Sequence, residues 1–459
     1  MDTYIGIMFS AALCGMTLFF LCKKNVLSQL VCLYVYGTFY FFSSVFAIFK
    51  NDASAAIIEL HNVGVGHFAR GVTIFFLLCV GGMIFRLSNV GKDKRVLWVY
   101  IASILFMMVG GIVESCLQGF TVALFRNMLS LVFMFSFIVF GASAWDSVRG
   151  REQWKRGVVF FLILVMLLSV IIAFLEVYTE KAWAVFINSS GQKVLRASSF
   201  LFNPNLYAMW CGSAIIFLSY QYHSRRFEAY TWLLLVGIFL GGLGIFFSSS
   251  RGFCYLVFLM LIASVLLLRG SLGARRYMPL AFFTGALVIA VLLTYWFAGS
   301  GTSDDQKPGV FMVLAMRLMS APFQLLDHIL RNFTHVPDGV LMAMHLPEPT
   351  SEFVVAFDGR FNGDQRDSGI LAVLDDMGWL GLVGVSIFFM FLFNQAVRAY
   401  LACFSVDAVH ALLFVLYSAA LGFLIRYQAF PVWIFVAVIL CPCLVLWRTL
   451  LRKDRPIVT

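Results

Sequence analysis

The sequence predicts an all-α, polytopic membrane bundle of about 12–13 transmembrane helices, and two observations support this fold class. Apolar residues make up 61% of the chain and charged residues only 12%. Soluble proteins carry about a quarter charged residues, so this chain needs a lipid solvent. Several stretches also exceed the ~20 apolar residues that a helix needs to cross a bilayer. The chain is therefore expected to have the lipid bilayer as a partner.

Apolar windows place about thirteen candidate spans along the chain. They lie near 4–22, 26–49, 65–86, 97–118, 123–144, 157–176, 205–221, 231–249, 252–268, 279–298, 369–394, 408–425 and 428–447. These spans predict three regions. Residues 1–298 form an N-terminal transmembrane bundle of about ten helices, 299–368 a large outer loop, and 369–459 the C-terminal transmembrane helices with a cytoplasmic tail.

Basic residues predict the orientation of the spans. Most Lys and Arg fall in alternate short loops, beginning at Lys23 and Lys24 and ending in the tail after the last span. The positive-inside rule puts these loops and the C-terminus in the cytoplasm, with the N-terminus outside. The same placement explains the net charge of +10 without nucleic acid, which is not an expected partner. The two longer loops, 177–204 and 299–368, then face outward.

The large outer loop is predicted to be partly helical. Apolar and aromatic residues recur at near-helical spacing over 310–333 around Arg317, which indicates a helix at the outer interface. The ten cysteines lie mostly inside apolar spans and lack the paired spacing of a zinc site. They are interpreted as small core residues, and no metal or cofactor is predicted.

The first candidate motif is Ser248-Ser249-Ser250-Arg251-Gly252, which joins two apolar spans at the predicted outer surface. An arginine so close to hydrocarbon is costly unless it snorkels or meets an anion. The serines add hydroxyl donors, and Gly252 lets the backbone approach a ligand. The alternative is a snorkelling arginine that only ends a helix.

The second motif runs from Arg196 to Asn203-Pro204-Asn205. Pro204 suits the first turn of the seventh span, and Asn203 or Asn205 can cap it. The exposed N–H groups of such a helix start favour an anion. The alternative is an ordinary Asn–Pro helix start.

The third motif is Arg366-Asp367-Ser368, followed by Asp375 and Asp376 two turns into an apolar helix. Intramembrane carboxylates are functional candidates, although Asp375 and Asp376 could instead form internal salt bridges. All three motifs fall on the outer side of the predicted topology.

These motifs resemble the O-antigen ligase and Wzy-type polysaccharide polymerase superfamily. The ligase pattern has His, then Asn, Ser or Gln, nine residues, Gly, two residues and Gly. Here Asp367, Ser368, nine residues, Gly378, two residues and Gly381 follow that spacing without the histidine, and Asp376 lies where the family often has glutamate. The aspartate in place of histidine resembles polymerases more than ligases.

The resemblance implies a GT-C-like membrane glycosyltransferase in the bacterial inner membrane. Its substrate would be an undecaprenyl-diphosphate-linked oligosaccharide, used on the periplasmic face without nucleotide donor, cofactor or metal. Arg251, Arg317 and Arg196 are predicted to stabilise charge on the departing diphosphate, and Asp367 to act as general base. The further expected substrate-binding residues are Asn203, Asn205, Ser249, Ser250, Arg360, Arg366 and Asp376.

The predicted activity is polymerisation of lipid-linked repeat units into O-antigen, capsule or exopolysaccharide, and a chain-length regulator is a candidate partner. One alternative is a ligase that moves finished glycan onto lipid A core or protein. Another, of a different class, is a non-enzymatic flippase for lipid-linked oligosaccharide. A flippase should have charged residues along a central cavity across many helices, whereas here they concentrate at the outer ends of three spans and in one loop.

Overall fold

The computed structural model describes residues 94–118, 152–178, 184–187, 193–199, 204–224, 230–268, 272–299, 369–402 and 404–424. These ranges hold eight α-helices, one hairpin and a short 3₁₀ helix. The α-helices are α1 (Lys94–Gln118), α2 (Glu152–Tyr178), α3 (Pro204–His223), α4 (Thr231–Ser248), α5 (Arg251–Leu267), α6 (Met278–Gly299), α7 (Gly369–Ala402) and α8 (Val406–Leu424). The hairpin strands are β1 (Ala184–Ile187) and β2 (Lys193–Arg196), and the 3₁₀ helix is Gly273–Tyr277.

Each of the eight helices coincides with one of the predicted spans, so the helical prediction is confirmed for this part of the chain. The remaining predicted spans, near 4–22, 26–49, 65–86, 123–144 and 428–447, lie outside the described residues, as does the predicted helix 310–333.

The described helices are those of a membrane-embedded protein. Four apolar stretches are long enough to cross a membrane: Trp98–Cys116, Thr231–Ser248, Gly273–Leu293 and Met377–Ala402. Large apolar side chains on these helices face outward, and Met390 is 71% exposed. Such side chains would be unfavourable in water and suit a lipid environment.

The hairpin was not predicted from the sequence. Its strands pair antiparallel, with Ala184 opposite Arg196 and Ile187 opposite Lys193. Both strands contain the β-branched or bulky apolar residues that favour extended structure. It lies within the predicted outer loop 177–204, and its second strand carries the predicted substrate-binding residue Arg196.

Contacts divide the chain into two compact units. In one of them, α3 is packed against α4, α5 and α8, and its Tyr207, Trp210 and Tyr220 are fully buried. Three glycines on one face of α4 allow this approach, because an added Cβ would lie 2.6–2.7 Å from a neighbouring side chain at Gly237, Gly241 and Gly244. Small residues of this kind let membrane helices pack closely.

The other unit contains α1 and the part of α7 from Asp376 onward. Glycines again form the contact: a Cβ on Gly384 would lie 2.6 Å from the carbonyl oxygen of Ser103 in α1. Helix α7 is interrupted at Gly378, whose φ of 60° and ψ of −163° are not helical. The left-handed φ requires glycine.

Candidate functional site

Arg196 is the centre of a buried polar cluster. It stands at the end of β2 and is only 7% exposed. Its Nε donates a hydrogen bond to the carbonyl oxygen of Ser248 (2.9 Å), and its Nη2 donates to Oδ1 of Asn205 (2.7 Å). The guanidinium therefore joins the hairpin to the end of α4 and the beginning of α3.

The turn between α4 and α5 supplies the next members of the cluster. Ser249 adopts the left-handed conformation (φ 52°, ψ 31°), and its N–H donates to the carbonyl oxygen of Phe246 at 2.8 Å. Ser250, the N-cap residue just before α5, is extended, and its hydroxyl donates to Oδ1 of Asn205 at 2.9 Å. One amide oxygen of Asn205 thus accepts from both Arg196 and Ser250, which fixes the turn relative to the start of α3.

The chain leaving the hairpin is held between α2 and α4. The N–H of Ala197 donates to the carbonyl oxygen of Phe247 at 3.0 Å. The N–H of Ser198 donates to Oε2 of Glu176 near the end of α2 at 2.8 Å. Ser199, also left-handed at φ 48°, donates from its hydroxyl to the carbonyl oxygen of Ser169 at 2.9 Å. Together with the two bonds of Arg196, residues 196–199 are consequently ordered by five hydrogen bonds to three helices, α2, α3 and α4.

Two helix N-termini meet at this cluster. Helix α3 begins at Pro204, next to Asn205, and α5 begins at Arg251, next to Ser250. The first backbone N–H groups of a helix lack internal acceptors and carry partial positive charge. Arg251 occupies the first position of α5, where the helix dipole disfavours a cation. Together with the buried Arg196 guanidinium, the two positive helix ends form an arrangement that suits an anionic ligand.

Two serine hydroxyls in the cluster have no hydrogen-bond partner. They belong to Ser198 and Ser249, whose side chains are 0% and 1% exposed. Buried hydroxyls are nearly always paired with protein or ordered water. Each hydroxyl could donate to an oxygen of a bound phosphate, or donate to and accept from a sugar hydroxyl.

Backbone strain is concentrated at the same place. Ser199 and Ser249 are the non-glycine residues with positive φ among those that the structure describes. Each such conformation costs on the order of 1–3 kcal/mol and tends to occur at functional sites. The strain therefore points to the same cluster as the buried charge and the unpaired hydroxyls.

Several of the predicted site residues are brought together here. Arg196, Asn205, Ser249 and Ser250 share the cluster, and Arg251 follows it directly. Asp376 lies within α7. Asn203, Arg317, Arg360, Arg366 and Asp367 lie outside the described residues. The functional roles assigned to all of these residues remain predictions.

Glu176 and Ser198 were missed by the sequence reasoning. Glu176 is 5% exposed and belongs to an apolar helix. It offered a signal, because a carboxylate inside an apolar span is a functional candidate. Ser198 had no comparable signal, since its position depends on the unpredicted hairpin.

A second buried polar contact lies at the other end of α3 and was also not predicted. Nδ1 of His223 lies 3.0 Å from Nε2 of His410 in α8, and the hydroxyl of Tyr220 donates to Oδ1 of Asp407 at 3.3 Å. In each helix the two polar residues lie three positions apart, Tyr220 and His223 in α3 and Asp407 and His410 in α8. This spacing places each pair on one helix face and was the signal that the sequence offered. Within the described ranges, no group of three His, Cys, Asp or Glu residues is placed to hold a metal ion. We therefore assign these four residues to the packing of α3 against α8.

Comparison with known proteins identifies no relative of this chain. No protein-family model, curated protein or solved structure matches this chain. The described residues form a membrane-embedded helical protein with a buried polar site around Arg196. Any narrower function has to be inferred from the chemistry of that site.

Proposed function

We propose that this protein is a membrane glycosyltransferase that polymerises undecaprenyl-diphosphate-linked oligosaccharide repeat units on the periplasmic face of the bacterial inner membrane. The product would be O-antigen, capsule or exopolysaccharide. The observation that carries the proposal is the buried Arg196 guanidinium, hydrogen-bonded to Asn205 and Ser248 where α3 and α5 begin. Positive charge, directed N–H groups and a position in the membrane together suit a diphosphate attached to a lipid.

The proposed reaction transfers the growing glycan from its lipid carrier to the next repeat unit. A hydroxyl oxygen of the acceptor sugar forms a bond to the anomeric carbon of the donor. The bond from that carbon to the diphosphate oxygen breaks, and its electron pair leaves with undecaprenyl diphosphate. The acceptor's proton passes to the general base, which we propose to be Asp367. Atoms and charge balance without a nucleotide or a redox partner.

Arginines have a defined role in this step. Negative charge grows on the departing diphosphate, so a fixed cation in a water-poor site stabilises the transition state more than the ground state. Arg196 is held rigidly by two hydrogen bonds and needs no reorganisation as the charge develops. We propose that Arg251 and Arg317 contribute to the same stabilisation.

The remaining proposed contacts concern the sugar. The unpartnered hydroxyls of Ser198 and Ser249 can donate and accept, which suits sugar hydroxyls, and their donors also suit phosphate oxygens. Among the residues predicted from the sequence, Arg360, Arg366 and Asp376 are proposed to complete the sugar site.

The decisive experiment uses Asp367→Asn, with Asp358→Asn from the same loop as a control for the loss of one negative charge. Removal of a general base lowers the rate by about a hundred- to ten-thousand-fold. In cells with a separate, intact ligase, Asp367→Asn should leave a single repeat unit on the acceptor. The control should give wild-type chain lengths on the surface-glycan gel.

Other products would identify the competing functions. Accumulation of long polymer on undecaprenyl diphosphate would indicate a ligase, and repeat units retained on the cytoplasmic leaflet would indicate a flippase. Wild-type polymer from Asp367→Asn at normal protein level would reject the base assignment. His328, His335 and His345 of the outer loop would then be the next candidates.

A further inference from the structure

Helix α7 is interrupted where its membrane-crossing part begins. The crossing stretch is Met377–Ala402, and the non-helical residue Gly378 is its second residue. A break at this point disturbs the backbone hydrogen bonds that span it and leaves N–H groups of the following turn without their usual acceptors. In a membrane such groups need another partner.

Helix α1 packs directly against the break. An added Cβ on Gly110 would lie 2.7 Å from the backbone nitrogen of Gly381 and would collide with the carbonyl oxygen of Met377. Further along, Gly384 meets Ser103. As the α1 residue number falls, that of its α7 partner rises, so the two helices run antiparallel. Gly110 and Gly384 thus allow the backbones of α1 and α7 to approach closely before and after Gly381.

Glu114 lies one turn beyond Gly110 on α1, and its carboxylate fills the space beside Gly378. An added Cβ at position 378 would collide with Oε1 of Glu114. The carboxylate belongs to a stretch apolar enough to cross a membrane, Trp98–Cys116. A charged group near the end of such a stretch is unfavourable unless it meets water, positive charge or hydrogen-bond donors. The start of the helical segment after Gly378 provides positive charge and donors, because its N–H groups carry partial positive charge.

We infer that Glu114 is a positioning residue that holds α7 in its broken form. The break follows directly after residues 369–377, which include Asp375 and Asp376. This inference rests on the proposed function only in so far as these carboxylates, and Asp367 just before them, serve glycosyl transfer. The stabilisation of the α7 interruption by Glu114 does not depend on that function.

The structural part of the inference is tested by distance measurement on the purified full chain. Spin labels at Ile370→Cys and Met390→Cys, in a cysteine-free background, lie on either side of the break. A second pair, Leu380→Cys and Leu401→Cys, lies entirely after it. Double electron–electron resonance should show that Glu114→Ala shifts or broadens the distances of the first pair while leaving the second pair unchanged.

Two matched variants make this measurement specific. Glu114→Gln keeps an acceptor oxygen and nearly the same shape, so its distances should resemble those of the parent. Ser115→Ala removes a neighbouring hydroxyl that bonds only within α1, to the carbonyl oxygen of Gly111 at 2.7 Å, and should have no effect. Parent-like distances in Glu114→Ala would overturn the inference.

The catalytic part is tested by polymerisation kinetics with purified lipid-linked repeat units. Misplacing a reacting group by about 1 Å can lower the rate by about a hundredfold. Glu114→Ala should therefore lower kcat by about ten- to a hundredfold with little change in the donor KM, and Glu114→Gln should retain most activity. If the parent shows no polymerisation, the proposed function fails while the distances still decide the role of Glu114. Altered distances with unchanged kcat would reject its positioning role.

Discussion

Replacing Arg196 with lysine keeps the positive charge of the candidate site but removes the forked hydrogen-bond geometry of the guanidinium. Arg196 makes two directed hydrogen bonds, from Nε to Ser248 and from Nη2 to Asn205. A lysine ammonium is a point charge and cannot reproduce this fork, so at least one of the two bonds is lost. Hydrogen bonds to charged groups contribute about 1.5–3 kcal/mol each. If that energy acts on the transition state, the rate falls by roughly ten- to 150-fold.

The assay compares chain length and rate at equal amounts of membrane-inserted protein. Arg196→Lys should give short glycan on the surface gel and slow polymerisation of purified lipid-linked repeat units. Arg275→Lys is the matched control, because Arg275 makes one long hydrogen bond of 3.4 Å to Tyr222 and lies over its ring. A lysine can keep the ring contact, so this control should polymerise normally.

Two results would refute this reasoning. Wild-type polymer from Arg196→Lys would show that the guanidinium geometry has no role in the reaction. A lower thermal stability combined with unchanged activity per folded molecule would show that Arg196 only holds the hairpin in place.

Three further predictions concern the topology and the cluster. Cysteines placed at Ser303 and Ser147, in a cysteine-free background, should differ in labelling by an impermeant reagent applied from outside, since the charge pattern predicts that only 303 is outside. Equal labelling would contradict the placement of the three motifs on one outer face. Arg251→Lys should already shorten the glycan and Arg251→Ala should abolish long chains, because a point charge loses the bidentate fork; normal chains at normal expression would remove Arg251 from the mechanism. Asn205→Ala and Ser250→Ala should be non-additive in thermal stability, with a coupling of about 0.5–3 kcal/mol, whereas additive effects would show that their 2.9 Å contact contributes little.

The helices were predictable because their signal is local. A run of apolar residues such as Thr231–Ser248 identifies a span whatever the rest of the chain does. The hairpin was not predictable in this way, since each strand has four residues and no periodicity stands out at that length. The interruption of α7 was also missed, because Gly378 lies in an apolar helix pattern and its conformation depends on contact with α1.

The candidate site was predictable only in part, for a related reason. The sequence pattern identifies Arg196, Asn205 and Ser250 as candidates, because they are polar residues beside apolar spans. Their mutual contacts were beyond reach, because Arg196 and Ser248 are separated by 52 residues in the sequence. Glu176 carries a weaker signal than a carboxylate in the middle of a span, because a single acid near the end of a long apolar window also occurs at ordinary helix ends.

The two serines with left-handed backbones, Ser199 and Ser249, differ in whether a hydrogen bond of the side chain offsets the conformational strain. Ser199 has a structural use for its side chain, since its hydroxyl bonds to Ser169. The Ser249 hydroxyl has no such partner, and glycine would relieve about 1–2 kcal/mol of conformational strain there. Glycine costs roughly 0.5–1 kcal/mol through the entropy of the unfolded chain, so the exchange is neutral or favourable. Selection for stability alone would thus readily replace Ser249 with glycine. If selection for activity retains the serine, its hydroxyl contributes to activity and not to stability.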